Sequence, residues 1–394
     1  MKITQIKVER LYGLHDYKID FVKEESLKII HAPNGYGKTT VLQLVQNILN
    51  GQLEAIKKIP FNRFSITFDE GEMIITVQKT EEKVCYIIEE AENKISYEIE
   101  GDNGLNSLLE QMLNEIQKVM PIYLIDANRL WSERRKNQEN NSKMASICMT
   151  STVITPTVME YARELGEWMR EALAQSNYYG QELDRSFPIR LAERLKEQEK
   201  NYLSEEAINQ ALKDLEQKRR KLEQVGLYSR LRLDEVAKFE ALDEQMKIIL
   251  TLYIEDSQEK IKMVESLATK IDLLCNLINK RFSYKVMEVN MKEGFLFRVP
   301  TNEVLKADKL SSGEQNELIL MFQLLFKCPA EAMILMDEPE ISLHIAWQQS
   351  FLEDMETIAQ LSKIRMMIAT HSPDIINGRW DLTTGLEDHL CNPI

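Results

Sequence analysis

The chain has 394 residues, 44% of them hydrophobic, which suffices for two or three globular domains with ordinary cores. A formal net charge of -14 excludes a surface coated in basic groups for sequence-independent duplex binding and leaves room only for local basic patches. Five scattered cysteines (Cys85, Cys148, Cys275, Cys328, Cys391) form no C-x-x-C pair, so zinc and disulfide frameworks are disfavoured and reduced packing residues are expected.

MKITQIKVERLYG lacks the apolar block of a secretion signal, and no stretch approaches the roughly 20 apolar residues of a membrane span. A cytoplasmic protein without membrane contact is expected. Ile3 to Phe21 alternates apolar and polar residues and breaks at Gly13, predicting two strands and a turn. LKIIHAPNGYGKTT, Leu27 to Thr40, then runs an apolar strand into a glycine-bearing loop. In a phosphate-binding loop the glycines let backbone N–H groups turn inward, a lysine reaches the β- and γ-phosphates of ATP, and the next hydroxyl ligates Mg2+. Lys38 and Thr39 stand at those two places; Asn34, Gly35, Gly37 and Thr40 complete the expected ATP contacts. VLQLVQNIL follows at helical spacing, so a helix N-terminus would point at the phosphates. Ala32 occupies the position of the strict pattern's first glycine.

Phe64 to Ile99 repeats the alternation in FSITF, MIITV, VCYII and ISYEI, which predicts an antiparallel meander. Leu105 to Val119 reads as an amphipathic helix and IYLID as a short buried strand followed by Asn128. SERRKNQENNSKMAS has no period and reads as a loop; its Arg134, Arg135 and Lys136 fit either a nucleic-acid or partner contact or a solvated basic turn. Pro156 to Arg281 changes to long charged segments with apolar residues three and four apart, implying several helices. Gly226 is expected to bend the most charged pair into a short antiparallel hairpin. YKVMEV and GFLFRV then read as a strand hairpin.

MILMDE, Met333 to Glu338, is an apolar strand ending in two acids and is expected beside the P-loop strand. There Asp337 would hold Mg2+ through its water shell and Glu338 orient the attacking water. Upstream, KLSSGEQ opens an apolar-periodic helix, so Ser311 and Gly313 offer a hydroxyl and free N–H groups to an anion. Downstream, MMIATHS ends a strand at His371, suited to hydrogen-bond a γ-phosphate oxygen.

In this order the motifs resemble the ABC-type ATPase superfamily, in the branch of SMC, Rad50, RecF and OLD-type ATPases. APNGYGKTT is similar to Walker A, LSSGEQ to the signature motif, MILMDEPE to Walker B and THS to the histidine switch. The resemblance covers roughly 1 to 150 and 283 to 380; the middle matches only as a helical insertion. It implies an α/β fold, an ABC-type P-loop ATPase head with an antiparallel β subdomain and a short coiled-coil insertion. The expected domains are an N-terminal ATPase lobe over 1–150, a helical hairpin over 151–282 and a C-terminal ATPase lobe over 283–394.

DEPEISLH and THSPDIINGRWDL look most like ATPase subunits of bacterial anti-phage systems such as PARIS and Septu. Three positions depart from the commoner pattern: Ser312 replaces the first signature glycine, His344 the D-loop aspartate, and Asn128 the Q-loop glutamine. The resemblance implies ATP and Mg2+ as cofactors and a dimer or higher homo-oligomer with shared ATP sites. It further implies a separate effector, a Toprim or HNH nuclease, and a phage-encoded or DNA trigger. A RecF- or Rad50-like DNA-repair ATPase is the alternative. With 23 positions after His371 (394 minus 371) and no carboxylate cluster elsewhere, no intrinsic nuclease is expected.

Overall fold

The computed structural model describes residues 1–22, 24–80, 83–90, 93–100, 107–125, 154–196, 201–228, 239–343 and 345–386. Asn128, the Arg134 to Lys136 patch, His344, Cys148 and Cys391 lie outside the described residues. The chain divides into two compact units, Met1–Ile154 with Gln323–Ile394, and Thr155–Phe322. The architecture is mixed α/β, with one large antiparallel sheet and one parallel sheet among the described residues.

In the first unit the period-2 segments form the expected antiparallel sheet. Its six strands are β1 (Ile3–Leu11), β2 (His15–Asp20), β4 (Arg63–Phe68), β5 (Met73–Lys79), β6 (Lys83–Glu90) and β7 (Asn93–Glu100), ordered β2-β1-β4-β5-β6-β7. The inward residues, Ile6, Val8, Phe64, Ile66, Ile75, Val77 and Tyr86, are buried, as one-face patterning requires. The second sheet collects the apolar runs: β3 (Leu27–His31), β8 (Ile122–Ile125), β12 (Met333–Asp337), β13 (Arg365–Thr370) and β14 (Thr383–Gly385). Its order is β14-β3-β13-β12-β8 and every pairing is parallel.

The strand order differs from that expected of the motifs. The acid-bearing strand β12 is not beside β3, because β13 pairs with both. The chain leaves β12, runs through α8 (Ile345–Gln348) and α9 (Phe351–Ser362), and returns between them. Helix α1 (Lys38–Leu49), joined to β4 through α2 (Leu53–Lys58), packs on β8, β12 and β13. Its Ile48 carbonyl accepts the Tyr86 hydroxyl of the antiparallel sheet at 3.4 Å, and α3 (Ser107–Val119) joins the same core. A short α10 (Pro373–Ile376) precedes β14.

The second unit is mostly helical: α4 (Ile154–Lys196), α5 (Glu205–Gln224) and α6 (Glu244–Arg281), then β9 (Val286–Asn290), β10 (Gly294–Arg298), β11 (Val304–Leu305) and α7 (Ser312–Phe322). At ~1.5 Å per residue α4, with 43 residues, is about 65 Å long. The chain bends at Gly226 (φ +74°), as expected, and returns to the start of α5, where Asn209 bonds Phe239 and Leu242 N–H donates to Glu205. Residues 239–243 are not helical, however, and α5 has no antiparallel helix partner beyond the bend among the described residues. Leu203 N–H donates to Thr251 (3.0 Å), and further along Lys218 pairs with Glu265 (2.7 Å), so numbers rise together and α5 runs parallel to α6.

The antiparallel partner of α6 is α4. Ser176 donates to the Lys260 carbonyl at 2.9 Å, Arg190 grips Asp256 with two bonds of 2.7 and 2.8 Å, and Arg194 reaches Glu255 at 2.6 Å. Helix α6 also begins later than its apolar spacing implies, because Asp243 caps it by accepting from Met246 N–H at 2.8 Å. The foot of α6 is tied to α7 by the buried Arg281–Glu317 pair at 2.7 Å. Among the described residues no helix is long and apolar enough to cross a membrane.

Candidate active site

The parallel sheet places three strand ends side by side. His31 of β3 is in register with Thr370 of β13, and Ala369 with Asp337 of β12, so all three chains leave the sheet at the same edge. Ligand sites of open α/β sheets form outside the carboxyl ends of the strands.

At β3 the chain turns through residues 32–37 into α1. Gly35 and Gly37 have φ of +96° and +79°, in the left-handed region that side chains disfavour. Gly37 is doubly constrained, since a Cβ there would lie 2.9 Å from Leu11 Cδ2. It starts α1 with no side-chain cap, and the first turn of α1 carries no acidic residue. The helix N-terminus, with its partial positive charge, is therefore not neutralised by the helix's own side chains. Two tyrosines brace the loop. Tyr17 donates to the Tyr36 carbonyl at 2.8 Å, with burial and then Tyr36 pushing its phenol pKa up, and Tyr12 shares a 2.9 Å hydrogen bond with Thr40 Oγ1. The Thr40 hydroxyl thus faces the scaffold. Asn34 is exposed.

Lys38 is only 4% exposed; its Nζ donates to the carbonyls of Ala32 (2.7 Å) and Pro33 (3.3 Å) and lies 3.6 Å from Glu338 Oε1. Thr39 Oγ1 donates to Asp337 Oδ2 at 2.7 Å. The residue after Asp337 takes a left-handed backbone, φ 43° and ψ 60°, a conformation that costs a non-glycine residue ~1–2 kcal/mol. A 2.8 Å bond from Glu338 N–H to the Ala369 carbonyl accompanies the turn, and the Glu338 carboxylate lies between Lys38 and His371. His371 Nδ1 is 3.1 Å from both Glu338 Oε2 and Glu340 Oε1. One donor atom each from Glu338, Glu340 and His371 fall within 4.8 Å of one another.

The paired oxygens of Thr39 and Asp337 are hard donors of the kind Mg2+ takes, and the open N-terminus of α1 suits a polyphosphate; the residues fit both. The fold thus brings together Lys38, Thr39, Asp337, Glu338 and His371, five of the residues singled out in the sequence.

The signature segment belongs to the second unit. Ser311 caps α7: its N–H and Oγ donate to Glu314 Oε2 at 2.8 and 2.9 Å, and Glu314 N–H donates to Ser311 Oγ at 3.4 Å. This is a capping box. Lys285 grips both oxygens of Glu314 at 2.7 Å. Burial pushes the Glu314 carboxyl up, but the bonds from Lys285 and Ser311 outweigh it and hold the group below the usual range. A Cβ on Gly313 would meet nothing within 4 Å. The S-x-x-E spacing makes Glu314 legible as a cap, whereas Lys285 and Glu340 carry no sequence signal of their partners.

No curated protein matches the chain at a significant level. Among solved structures it is similar to the Smc head domain of Pyrococcus furiosus with an extended coiled coil bound to the C-terminal domain of ScpA, at 15% identity and TM-score 0.39, covering 97% of this chain and 92% of that one. It is also similar to an Smc head bound to the C-winged helix domain of ScpA, at 10% identity and TM-score 0.40 over 98% and 94% of the two chains. The SMC head domain from Thermotoga maritima follows at 11% identity and TM-score 0.37, again over 98% and 94%. The family described as AAA_15, AAA ATPase domain, matches residues 1–376, and the chain belongs to that family.

Proposed function

We propose that the chain is an ATP-hydrolysing, SMC-like switch that self-associates through shared ATP sites and controls a separate effector in bacterial anti-phage defence. The observation that carries the reading is the convergence of Lys38, Thr39, Asp337, Glu338 and His371 at one edge of the parallel sheet. In it, the N–H groups of residues 35–40 and Lys38 Nζ receive the β- and γ-phosphates of ATP, and Thr39 and Asp337 hold Mg2+. The ion, when bound, neutralises charge that develops on the phosphate oxygens. Glu338 takes a proton from the attacking water as the water oxygen bonds the γ-phosphorus and the bond from that phosphorus to the β-phosphate oxygen breaks, releasing ADP, while His371 hydrogen-bonds the transferred phosphate. Ser311 and Gly313 complete the site of a second protomer, so ATP joins two copies and hydrolysis parts them.

The defence assignment rests on DEPEISLH and THSPDIINGRWDL, which resemble anti-phage ATPase subunits. The chain itself is proposed to lack nuclease activity. Purified protein is incubated with MgATP, plasmid and tRNA, and the gene with its neighbours is tested against phage. ATP turnover without nucleic-acid cleavage, and protection that needs a neighbouring gene, supports the reading. Turnover stimulated by DNA with steep salt dependence and no protection would replace it with a DNA-repair role.

A further inference from the structure

We infer that Glu340 is a positioning residue for the reaction: it holds His371 by both backbone and ring so that the distal ring nitrogen meets the γ-phosphate. Glu340 lies in the 3-10 turn Pro339–Ser342 after β12 and is 8% exposed. One of its oxygens, Oε1, accepts the Thr370 hydroxyl at 2.6 Å and the His371 backbone N–H at 3.0 Å, and lies 3.1 Å from His371 Nδ1. Three donors from two consecutive residues thus converge on one carboxylate oxygen. With Nδ1 turned to the oxygens of Glu338 and Glu340, Nε2 is the ring nitrogen left for a ligand.

The surrounding bonds make the clamp stiff. Thr370 Oγ1, donating to Glu340, also accepts from Ser372 N–H at 3.0 Å; Ser372 donates to Gln348 Oε1 at 3.2 Å, and Gln348 Nε2 reaches the Glu340 carbonyl at 3.4 Å. The turn leaving β12 and the turn leaving β13 are therefore locked to each other through Glu340. Stability alone does not account for a carboxylate here. A neutral acceptor would serve Thr370 and the His371 N–H, and Glu340 Oε2 is buried with no hydrogen-bond partner among the described residues. Burying an unpartnered charged oxygen costs stability, and such groups concentrate where they act on a functional neighbour.

The inference rests on the proposed role of His371, and its test separates the two. Turnover of MgATP by the full chain is measured for Glu340→Gln, Glu340→Ala, His371→Ala and the Glu340→Ala, His371→Ala pair, with melting temperatures alongside. Expected is a kcat loss of ~10-fold or more for Glu340→Ala and a smaller loss for the isosteric Glu340→Gln, on the scale of a misplaced catalytic group, with KM within about twofold of the parent. In the His371→Ala background Glu340→Ala should cost less than about twofold, because both act on one interaction. If the two losses multiply, or if both Glu340 variants turn over normally while His371→Ala is slow, the positioning role is wrong and the His371 reading stands. Normal turnover by His371→Ala removes both.

Discussion

The P-loop cluster and the signature segment each begin a helix with a hydroxyl beside it, but their helix ends are filled differently. Helix α1 starts at Gly37 with no side-chain cap and no acid in its first turn, so its own side chains do not neutralise its N-terminus. Helix α7 starts at Ser311 with its anion supplied internally, the Glu314 carboxylate, neutralised in turn by Lys285. On the proposed reading the first site receives phosphate directly. The second is a self-satisfied cap, which on the proposed reading exchanges Glu314 for phosphate.

Removing the chemistry from the first site has the largest expected effect. Glu338→Gln should retain ATP binding and slow hydrolysis by at least ~10²-fold, the contribution of a general base. Filter binding and phosphate release measured on one preparation check this, and normal turnover would exclude Glu338 as the base.

Alanine at a glycine of each site separates backbone need from ligand need. Gly37→Ala places a Cβ 2.9 Å from Leu11 at φ 79° and should destabilise the fold by about 2 kcal/mol or more, read by denaturant melts. Gly313→Ala meets open space inside α7 and should be neutral or stabilising by up to about 1 kcal/mol. It should nonetheless lose turnover if a partner's phosphate approaches there; a Gly313→Ala protein that melts normally and hydrolyses ATP normally would remove Gly313 from the site.

The smallest effect sharpens the electrostatic side of the contrast. Burial raises the Glu314 carboxyl, the bonds from Lys285 and Ser311 lower it further, and the net position is below the ordinary 4.5. A depressed folded pKa gives stability that is complete above about pH 4.5 and is lost as pH falls through the lower folded value. The pair is partly exposed, so its share is below about 1 kcal/mol. Urea melts at pH 6, 4 and 3 should show a shallower acid loss for the Lys285→Met, Glu314→Gln pair than for the parent; equal losses would mean that Glu314 is not held low.

The same contrast explains what the sequence discloses. Strand β3, Gly35, Gly37, Lys38 and Thr39 are legible because the motif is contiguous and each residue has a local reason. The antiparallel meander is legible because period-2 alternation fixes which face is buried. Strand order is not: β13 inserts between β3 and β12 although nothing in MMIAT distinguishes a central strand from a neighbour. Helix direction is not either, since Ile208, Leu215 and Leu222 define the buried face of α5 but fit a parallel or an antiparallel partner equally. Glu340 and Lys285 stayed hidden because their partners, His371 and Glu314, are set by tertiary contacts rather than by spacing.

One copy's P-loop is proposed to work with another copy's signature, and mixing tests this most directly. Lys38→Ala and Ser311→Arg proteins, each inactive alone, are combined in equal amounts while subunit exchange is followed by fluorescence transfer between labelled chains. In a closed dimer half the assemblies are mixed and each keeps one intact site of two, so turnover should return to about a quarter of the parent level. Exchange that is complete while turnover stays at the level of the separate variants would contradict the shared site.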